Sequence, residues 1–128
     1  MKPPAASRAM RVPFALGAVV LLLAGCASGP NLDLSGAKPL AAGGFLELNL
    51  RMEAGDRISY DWSSDAPVEF NIHTHGAGGV QDFVQEQATA KSNHFEAPAD
   101  GVYSLMWENK ATRSVTVSYA VSGQATQA

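Results

Sequence analysis

The chain has 128 residues, of which 46% are hydrophobic and 16% are charged, so it can form one compact domain and is too apolar for a disordered chain. Nine Lys and Arg against twelve Asp and Glu give a net charge of −3, which excludes the basic surplus that nucleic-acid binding requires. A single cysteine excludes an internal disulfide and any zinc or iron–sulfur site built from cysteines.

Residues 1–25 have the pattern of an export signal. Lys2, Arg8 and Arg11 form a positively charged start, and an uncharged apolar run follows over residues 14–24. This run is too short to cross a bilayer as a permanent helix, which needs about 20 residues. We therefore predict that residues 1–25 are a signal peptide and not part of the folded domain.

The apolar run ends in Leu23-Ala24-Gly25-Cys26, which resembles the lipobox of bacterial lipoproteins. The resemblance implies cleavage before Cys26, a lipid on its thiol, and sorting to the periplasmic face of the outer membrane, because Ala27 stands where Asp would retain the protein. Cleavage would leave six basic against twelve acidic residues, a net charge of −6. Such a domain is held by its acyl chains and not by attraction to acidic headgroups.

The rest of the chain divides into three parts. Residues 26–44 are rich in Ala, Gly, Ser and Pro, which predicts a flexible tether that begins at the lipidated cysteine. Residues 45–121 carry the folded domain, and residues 122–128 form a polar tail.

In the domain, short runs of alternating apolar and polar residues are separated by residues typical of turns. Alternation predicts strands over residues 45–52, 57–62, 68–75, 93–97, 101–109 and 114–121, with a loop over residues 63–67. Residues 80–91 also fit a helical spacing, but we favour a strand or an irregular edge. A period of two with frequent turns and many β-branched and aromatic residues predicts an all-β fold, a single antiparallel β-sandwich of about seven strands.

Two resemblances refine this fold. The run Asp100-Gly101-Val102-Tyr103-Ser104-Leu105 resembles the tyrosine corner of immunoglobulin-like domains, which implies that the Tyr103 hydroxyl turns back to nearby backbone; an ordinary strand tyrosine is the alternative. The order of "AGDRISYDW", "PVEFNIH" and "FEAPADGVYSLMWEN" resembles GOLD-type β-sandwiches, including small bacterial lipoproteins with a His-x-His after the third strand. This second resemblance informs the fold, and the cargo-sorting role of eukaryotic GOLD proteins is not carried over.

The pair His73 and His75 is the most concentrated chemical signal. Residues two apart on a strand point the same way at about 6.5–7 Å, so two imidazoles can converge on one metal ion. If the strand over residues 68–75 neighbours that over 101–109, Met106 or Glu108 could complete the site, and His94 is the remaining imidazole. Methionine would favour copper, and a carboxylate would favour zinc or nickel. Exposed histidines that bind nothing, or a contact that titrates with pH, are the alternatives.

The sequence predicts no enzymatic activity. There is no Gly-x-Ser-x-Gly motif, and three histidines are too few for the six of the copper–zinc superoxide dismutases. Trp62 and Trp107 are in phase with core positions, which favours packing over sugar stacking. The sequence thus predicts a lipid-anchored periplasmic binding or accessory module, with copper or zinc as candidate ligands. The alternative is a protein-interaction or envelope-structural domain that meets an envelope partner through the face around Glu69, Asn71 and His73.

Overall fold

The computed structural model describes residues 31–76 and 79–128, so the predicted signal peptide and Cys26 lie outside the described residues. The described chain forms β1 (Asn31–Leu40), β2 (Phe45–Met52), β3 (Arg57–Gly76), β4 (Gly79–Glu96), β5 (Gly101–Glu108), β6 (Val115–Gln124) and β7 (Thr126–Gln127). All strand pairs are antiparallel, which confirms the predicted all-β class with seven strands. In these two ranges no helical segment could span a membrane.

The long strand β3 takes part in two halves of the sheet. Residues 58–64 pair with β6, and residues 69–74 pair with β5. The strand order is β1-β6-β3-β5-β2-β7, and β4 pairs with β3 alone. The first half of β3 therefore belongs to a layer with β6 and β1, the second half to a layer with β5, β2 and β7, and β4 is the edge strand of both.

The core lies between the two layers and follows the predicted alternation. Trp62 and Trp107 are both buried, with ring centroids 6.4 Å apart, and Phe70 packs 5.4 Å and 5.2 Å from them. Their predicted role in core packing is thus confirmed. Burial of one such large apolar side chain contributes about 1.5–3 kcal/mol. The other fully buried large side chains are Leu50, Met52, Ile58, Ile72, Leu105, Val68, Val115, Val117 and Val121.

The prediction of a flexible tether over residues 26–44 is wrong from Asn31 onwards. Strand β1 pairs with β6 along ten residues and buries Leu32 and Leu40. Its small residues have a packing role, since a Cβ on Gly36 would lie 2.9 Å from the Tyr119 hydroxyl. The linker-like composition of these residues is that of a strand, in which Gly36 leaves room for the Tyr119 ring.

The predicted polar tail over residues 122–128 also belongs to the sheet. Strand β6 continues to Gln124, Ala125 is buried, and β7 pairs with β2. The alternation of large apolar residues stops at Val121, so the sequence pattern carries no signal for these last backbone pairings. Among the described residues, the sheet therefore spans residues 31–127 and not only residues 45–121.

The predicted loop over residues 63–67 is an irregularity within the continuous strand β3. The register with β4 shifts between Ser63 and Val68, and Pro67 lies in this gap, where no ladder hydrogen bond is required of it. Asp65 accepts a hydrogen bond from the Thr116 backbone at 2.8 Å, which fixes the bend against β6. The strand preferred for residues 80–91 is confirmed as part of β4, and residues 93–97 extend that strand to Glu96.

Two polar contacts hold one end of the sandwich. The Tyr103 hydroxyl donates to the Ala99 carbonyl at 2.6 Å, which confirms the turn back to the backbone that the sequence implied. Nearby, the Ala54 backbone donates to Asp100 Oδ1 at 2.7 Å. The first bond closes the turn between β4 and β5, and the second ties that turn to the one between β2 and β3.

At the opposite end, the buried Asn109 joins two segments. Its Nδ2 lies 3.0 Å, 3.1 Å and 2.8 Å from the carbonyls of Leu40, Ala41 and Arg113, and its Oδ1 accepts from the Ala111 backbone at 2.9 Å. The end of β1 and the connection between β5 and β6 are thereby fixed to one side chain.

Candidate functional site

The candidate site lies on the second half of β3, on the face turned away from the core. Alternation places Phe70 and Ile72 in the core and Asn71 and His73 on the other face. His73 is nevertheless buried, with 6% of its surface exposed, and its ring contacts Asn71 and His75. His75 follows towards the end of β3 and is exposed.

The two imidazoles converge as the sequence predicted. Their Nε2 atoms lie 3.1 Å apart, and the rings are nearly perpendicular, at 84°. His73 Nδ1 lies 2.6 Å from Asn71 Oδ1, and an amide oxygen only accepts hydrogen bonds. His73 Nδ1 therefore carries the proton, its Nε2 presents a lone pair, and His75 Nε2 donates to it.

A polar row continues from His73 across the sheet. Ser104 lies opposite His73 on β5, is buried, and donates through Oγ to Asn49 Oδ1 on β2 at 2.6 Å. Asp82 lies opposite His73 on β4. Sequence reasoning did not single out Asn49 and Ser104, although the alternation placed both on the polar face.

The other predicted ligands are spread along the face or lie elsewhere. The predicted pairing of this strand with the strand over residues 101–109 is confirmed, but Met106 lies opposite Asn71 and Glu108 lies opposite Glu69. His94 pairs with Ser59 on the first half of β3, in the other layer. Within residues 31–76 and 79–128, no group of three or more His, Cys, Asp and Glu side chains is placed to hold a metal ion.

His94 lines an open groove on the outer face of the other layer. The groove has a volume of about 420 Å³, and its lining is dominated by small polar residues. The residues that line it are Ser59, Tyr60, Asp61, Ser92, Asn93, His94, Ala120 and Ser122. His94 is thus separated from the histidine pair by the bend of β3.

The acidic end of the histidine-bearing face is partly neutralised. Lys110 Nζ lies 2.8 Å from Glu69 Oε2, and this hydrogen bond raises the pKa of Lys110, with a further contribution from the charges of Glu69 and Glu108. Glu69 is therefore engaged with a cation and does not turn towards the imidazoles.

Comparisons with known proteins bear on the fold. No protein-family model matches the chain, and no curated protein matches it. Among solved structures, it is similar to PliG of Aeromonas hydrophila, described as a periplasmic lysozyme inhibitor of g-type lysozyme, with a TM-score of 0.56 and 20% identity over 76% of this chain and 89% of that one.

Two carbohydrate-binding modules are more distant. A CBM4 has a TM-score of 0.44 and 16% identity over 76% of this chain and 90% of its own. The family 11 module of the Clostridium thermocellum cellulase Lic26A-Cel5E has a TM-score of 0.38 and 14% identity over 76% and 87%. At these identities the likeness to PliG concerns the fold alone, and the two modules are too dissimilar to support an argument.

Proposed function

We propose that the protein is a lipid-anchored binding module of the bacterial envelope, and that its ligand is a divalent transition-metal ion bound by His73 and His75. The lipobox-like pattern that ends at Cys26 supports attachment to the periplasmic face of the outer membrane. The charge of −6 after cleavage favours a cationic ligand over an anionic one.

The observation that carries the proposal is the 3.1 Å distance between the two Nε2 atoms. At metal–nitrogen distances of about 2.0–2.1 Å, two nitrogens on one four-coordinate ion lie about 2.8–3.4 Å apart. The two Nε2 atoms therefore already have the spacing of a chelating pair, and an ion can bind once the rings turn so that both lone pairs point at it.

Asn71 supports this assignment from the other side of the His73 ring. Metal-binding histidines typically donate their second ring N–H to an oxygen, which fixes the ring and the tautomer. The contact between His73 Nδ1 and Asn71 Oδ1, at 2.6 Å, has this arrangement. In the metal-free pair, His75 Nε2 donates the hydrogen bond, so binding requires the proton to move to Nδ1 of the same ring by exchange with solvent, which the exposure of His75 allows.

The test is a titration of a soluble form that begins at Ala27 and contains all seven strands, with Cu(II), Zn(II) and Ni(II) added in turn. Calorimetry and the ¹⁵N signals of the imidazoles measure the binding, and we expect one ion per chain. His75→Ala should lower the affinity at least tenfold while leaving the fold intact, because His75 is exposed. His94→Ala is the matched control and should bind as the unmodified protein does. Equal affinities of the two variants would contradict the proposal.

A second candidate is the binding of a protein partner on the face that includes Glu69, Asn71 and His73. Val80, opposite His75 on β4, is 60% exposed, and Phe45 on β2 is 59% exposed. The register places these two side chains at opposite ends of this face, and each offers a partner an apolar contact there. Because the fold is shared with PliG, a g-type lysozyme is a sensible partner to test.

This second candidate predicts that the soluble form inhibits a g-type lysozyme, and that Val80→Asp weakens the inhibition. Gln81→Asp, one residue along β4, is the matched control for the added charge. If the soluble form does not inhibit the lysozyme, or if the Val80→Asp and Gln81→Asp variants inhibit it equally, this candidate is removed.

A further inference from the structure

We infer that an ion held by His73 and His75 keeps part of its coordination sphere open, and that a neutral nitrogen donor of a second molecule, such as a histidine imidazole, fills it. This inference rests on the proposed metal function. It makes the site a point at which a metal ion joins the module to another molecule, and not a closed structural centre.

The geometry of the pair sets the number of positions that remain. With metal–nitrogen distances of about 2.0–2.1 Å, the 3.1 Å separation of the Nε2 atoms corresponds to a nitrogen–metal–nitrogen angle of about 95–102°. This angle lies between those of square-planar and tetrahedral ions and far from the straight angle of a two-coordinate ion. A four-coordinate ion bound here would have two positions left.

The described part of the chain does not fill these positions. Asp82 lies opposite His73 on β4, yet these residues and His75 do not form a three-ligand group. The Ser104 hydroxyl, on the other side of His73, donates to Asn49. Glu69 bonds to Lys110 at 2.8 Å, so it too has a partner already.

The surroundings of the pair allow access from one side. His73 is buried and His75 is exposed, so an ion on their Nε2 atoms would have protein on the His73 side and solvent on the His75 side. The neighbouring β4 is an edge strand, and Val80 on it is 60% exposed. A second molecule can therefore approach the open positions without any displacement of the sheet, and Val80 offers it an apolar contact.

The charge of the module favours a neutral donor. The mature chain would carry −6, and Asp82, Glu69 and Glu108 lie on the same face as the histidines. A carboxylate donor would have to approach against this charge, whereas an imidazole would not. Borderline divalent ions such as Cu(II), Ni(II) and Zn(II) accept imidazole readily.

The experiment uses the soluble form loaded with one equivalent of Cu(II), with free imidazole as the probe and acetate as the comparison. Electron paramagnetic resonance counts the coordinated nitrogens. We expect two nitrogens before addition and at least three after imidazole, while the copper stays with the protein on gel filtration. Acetate at the same concentration should change the spectrum less. The His94→Ala variant should behave as the unmodified protein.

The outcomes separate the two proposals. If Cu(II) binding does not depend on His75, the proposed function fails. If Cu(II) binds the pair but the spectrum already shows three or more protein nitrogens, this inference alone fails. It also fails if imidazole adds nothing, or removes the copper without forming an adduct.

Discussion

His73 Nδ1 and Asn71 Oδ1 lie 2.6 Å apart, and this contact determines which nitrogen of the buried imidazole faces its partner. Without the amide oxygen, either ring nitrogen of His73 could carry the proton, and the ring could rotate about its bond to Cβ. The asparagine therefore holds the ring in the orientation that brings the two Nε2 atoms together.

Replacement of Asn71 should weaken metal binding without removing a ligand. We expect Asn71→Ala to lower the affinity for Zn(II) or Cu(II) about 10–100-fold, the usual effect of losing such a supporting oxygen. The ¹⁵N signals of metal-free His73 should change from a single tautomer to a mixture. The control is Asn49→Ala, which removes an amide that bonds to Ser104 and not to histidine. An unchanged His73 tautomer in Asn71→Ala would contradict the role of the amide.

Asn109 should be essential to the stability of the fold. Asn109→Ala removes the bonds to three carbonyls and to the Ala111 backbone. The Ala41 carbonyl keeps its bond from the Gly44 backbone, but the Leu40 and Arg113 carbonyls and the Ala111 N–H lose this side-chain partner. Each buried polar group left without a partner costs about 1–3 kcal/mol, so we expect the free energy of unfolding to fall by about 3 kcal/mol or more. Urea denaturation measures this. Lys110 is adjacent and exposed, so Lys110→Ala should change the free energy of unfolding by less than about 0.5 kcal/mol. A similarly small effect of Asn109→Ala would show that water replaces the lost hydrogen bonds.

Gly123 should not accept a side chain. It has a φ of +134°, and a Cβ there would lie 2.4 Å from the Arg57 carbonyl oxygen and 2.8 Å from Ile58 Cα, both backbone atoms. We expect Gly123→Ala to destabilise the fold by about 3 kcal/mol or more, since strain and a backbone clash act together. Gly55→Ala is the comparison, because Gly55 also has a positive φ of +88° but no atom within 4 Å of the added Cβ. Gly55→Ala should lower the free energy of unfolding by about 1 kcal/mol. Equal thermal midpoints for the two variants would contradict the backbone clash at Gly123.

Tyr60 should make the fold less stable in alkali. Burial raises the pKa of its hydroxyl above the usual value of 10.0, and the charge of Glu86 raises it further. The folded chain thus holds this proton more tightly than the unfolded chain, so the stabilisation is complete below pH 10 and is lost as the pH rises through the folded-state pKa. Tyr60→Phe should flatten the decline in unfolding free energy between about pH 9 and pH 11. If the unfolding free energy of Tyr60→Phe declines as steeply, the decline is due to other groups.

Much of the fold was predictable because alternation marks any strand with one buried face. Strand β2 agrees with its predicted bounds, and β5 ends one residue earlier. Strand β1 was missed because its residues between Leu34 and Leu40 are small or exposed and carry no alternation. Strand β3 was divided in two because Pro67 is typical of a loop, although a register shift accommodates it within a strand.

The histidine pair was predictable and its surroundings were not. The side chains of His73 and His75 share a face by the geometry of a single strand, so one sequence suffices to bring them together. Which residues lie beside them depends on the register between strands, which a single sequence does not specify. A shift of two residues decides that Ser104, and not Met106, lies opposite His73. Asn109 is an isolated asparagine after a strand, and nothing in the pattern around it indicates burial.

The position of β4 at the edge of both layers has a consequence for how two copies of the chain meet. An edge strand of 18 residues is a template on which a second copy could pair and begin to aggregate. Two register shifts along the β3–β4 ladder interrupt the regular edge. Asp82 and Glu96 add negative charge near its ends, so neighbouring copies repel each other there. The register shifts and the end charges of β4 thus oppose edge-to-edge pairing of two copies, including copies that the predicted lipid at Cys26 would hold side by side.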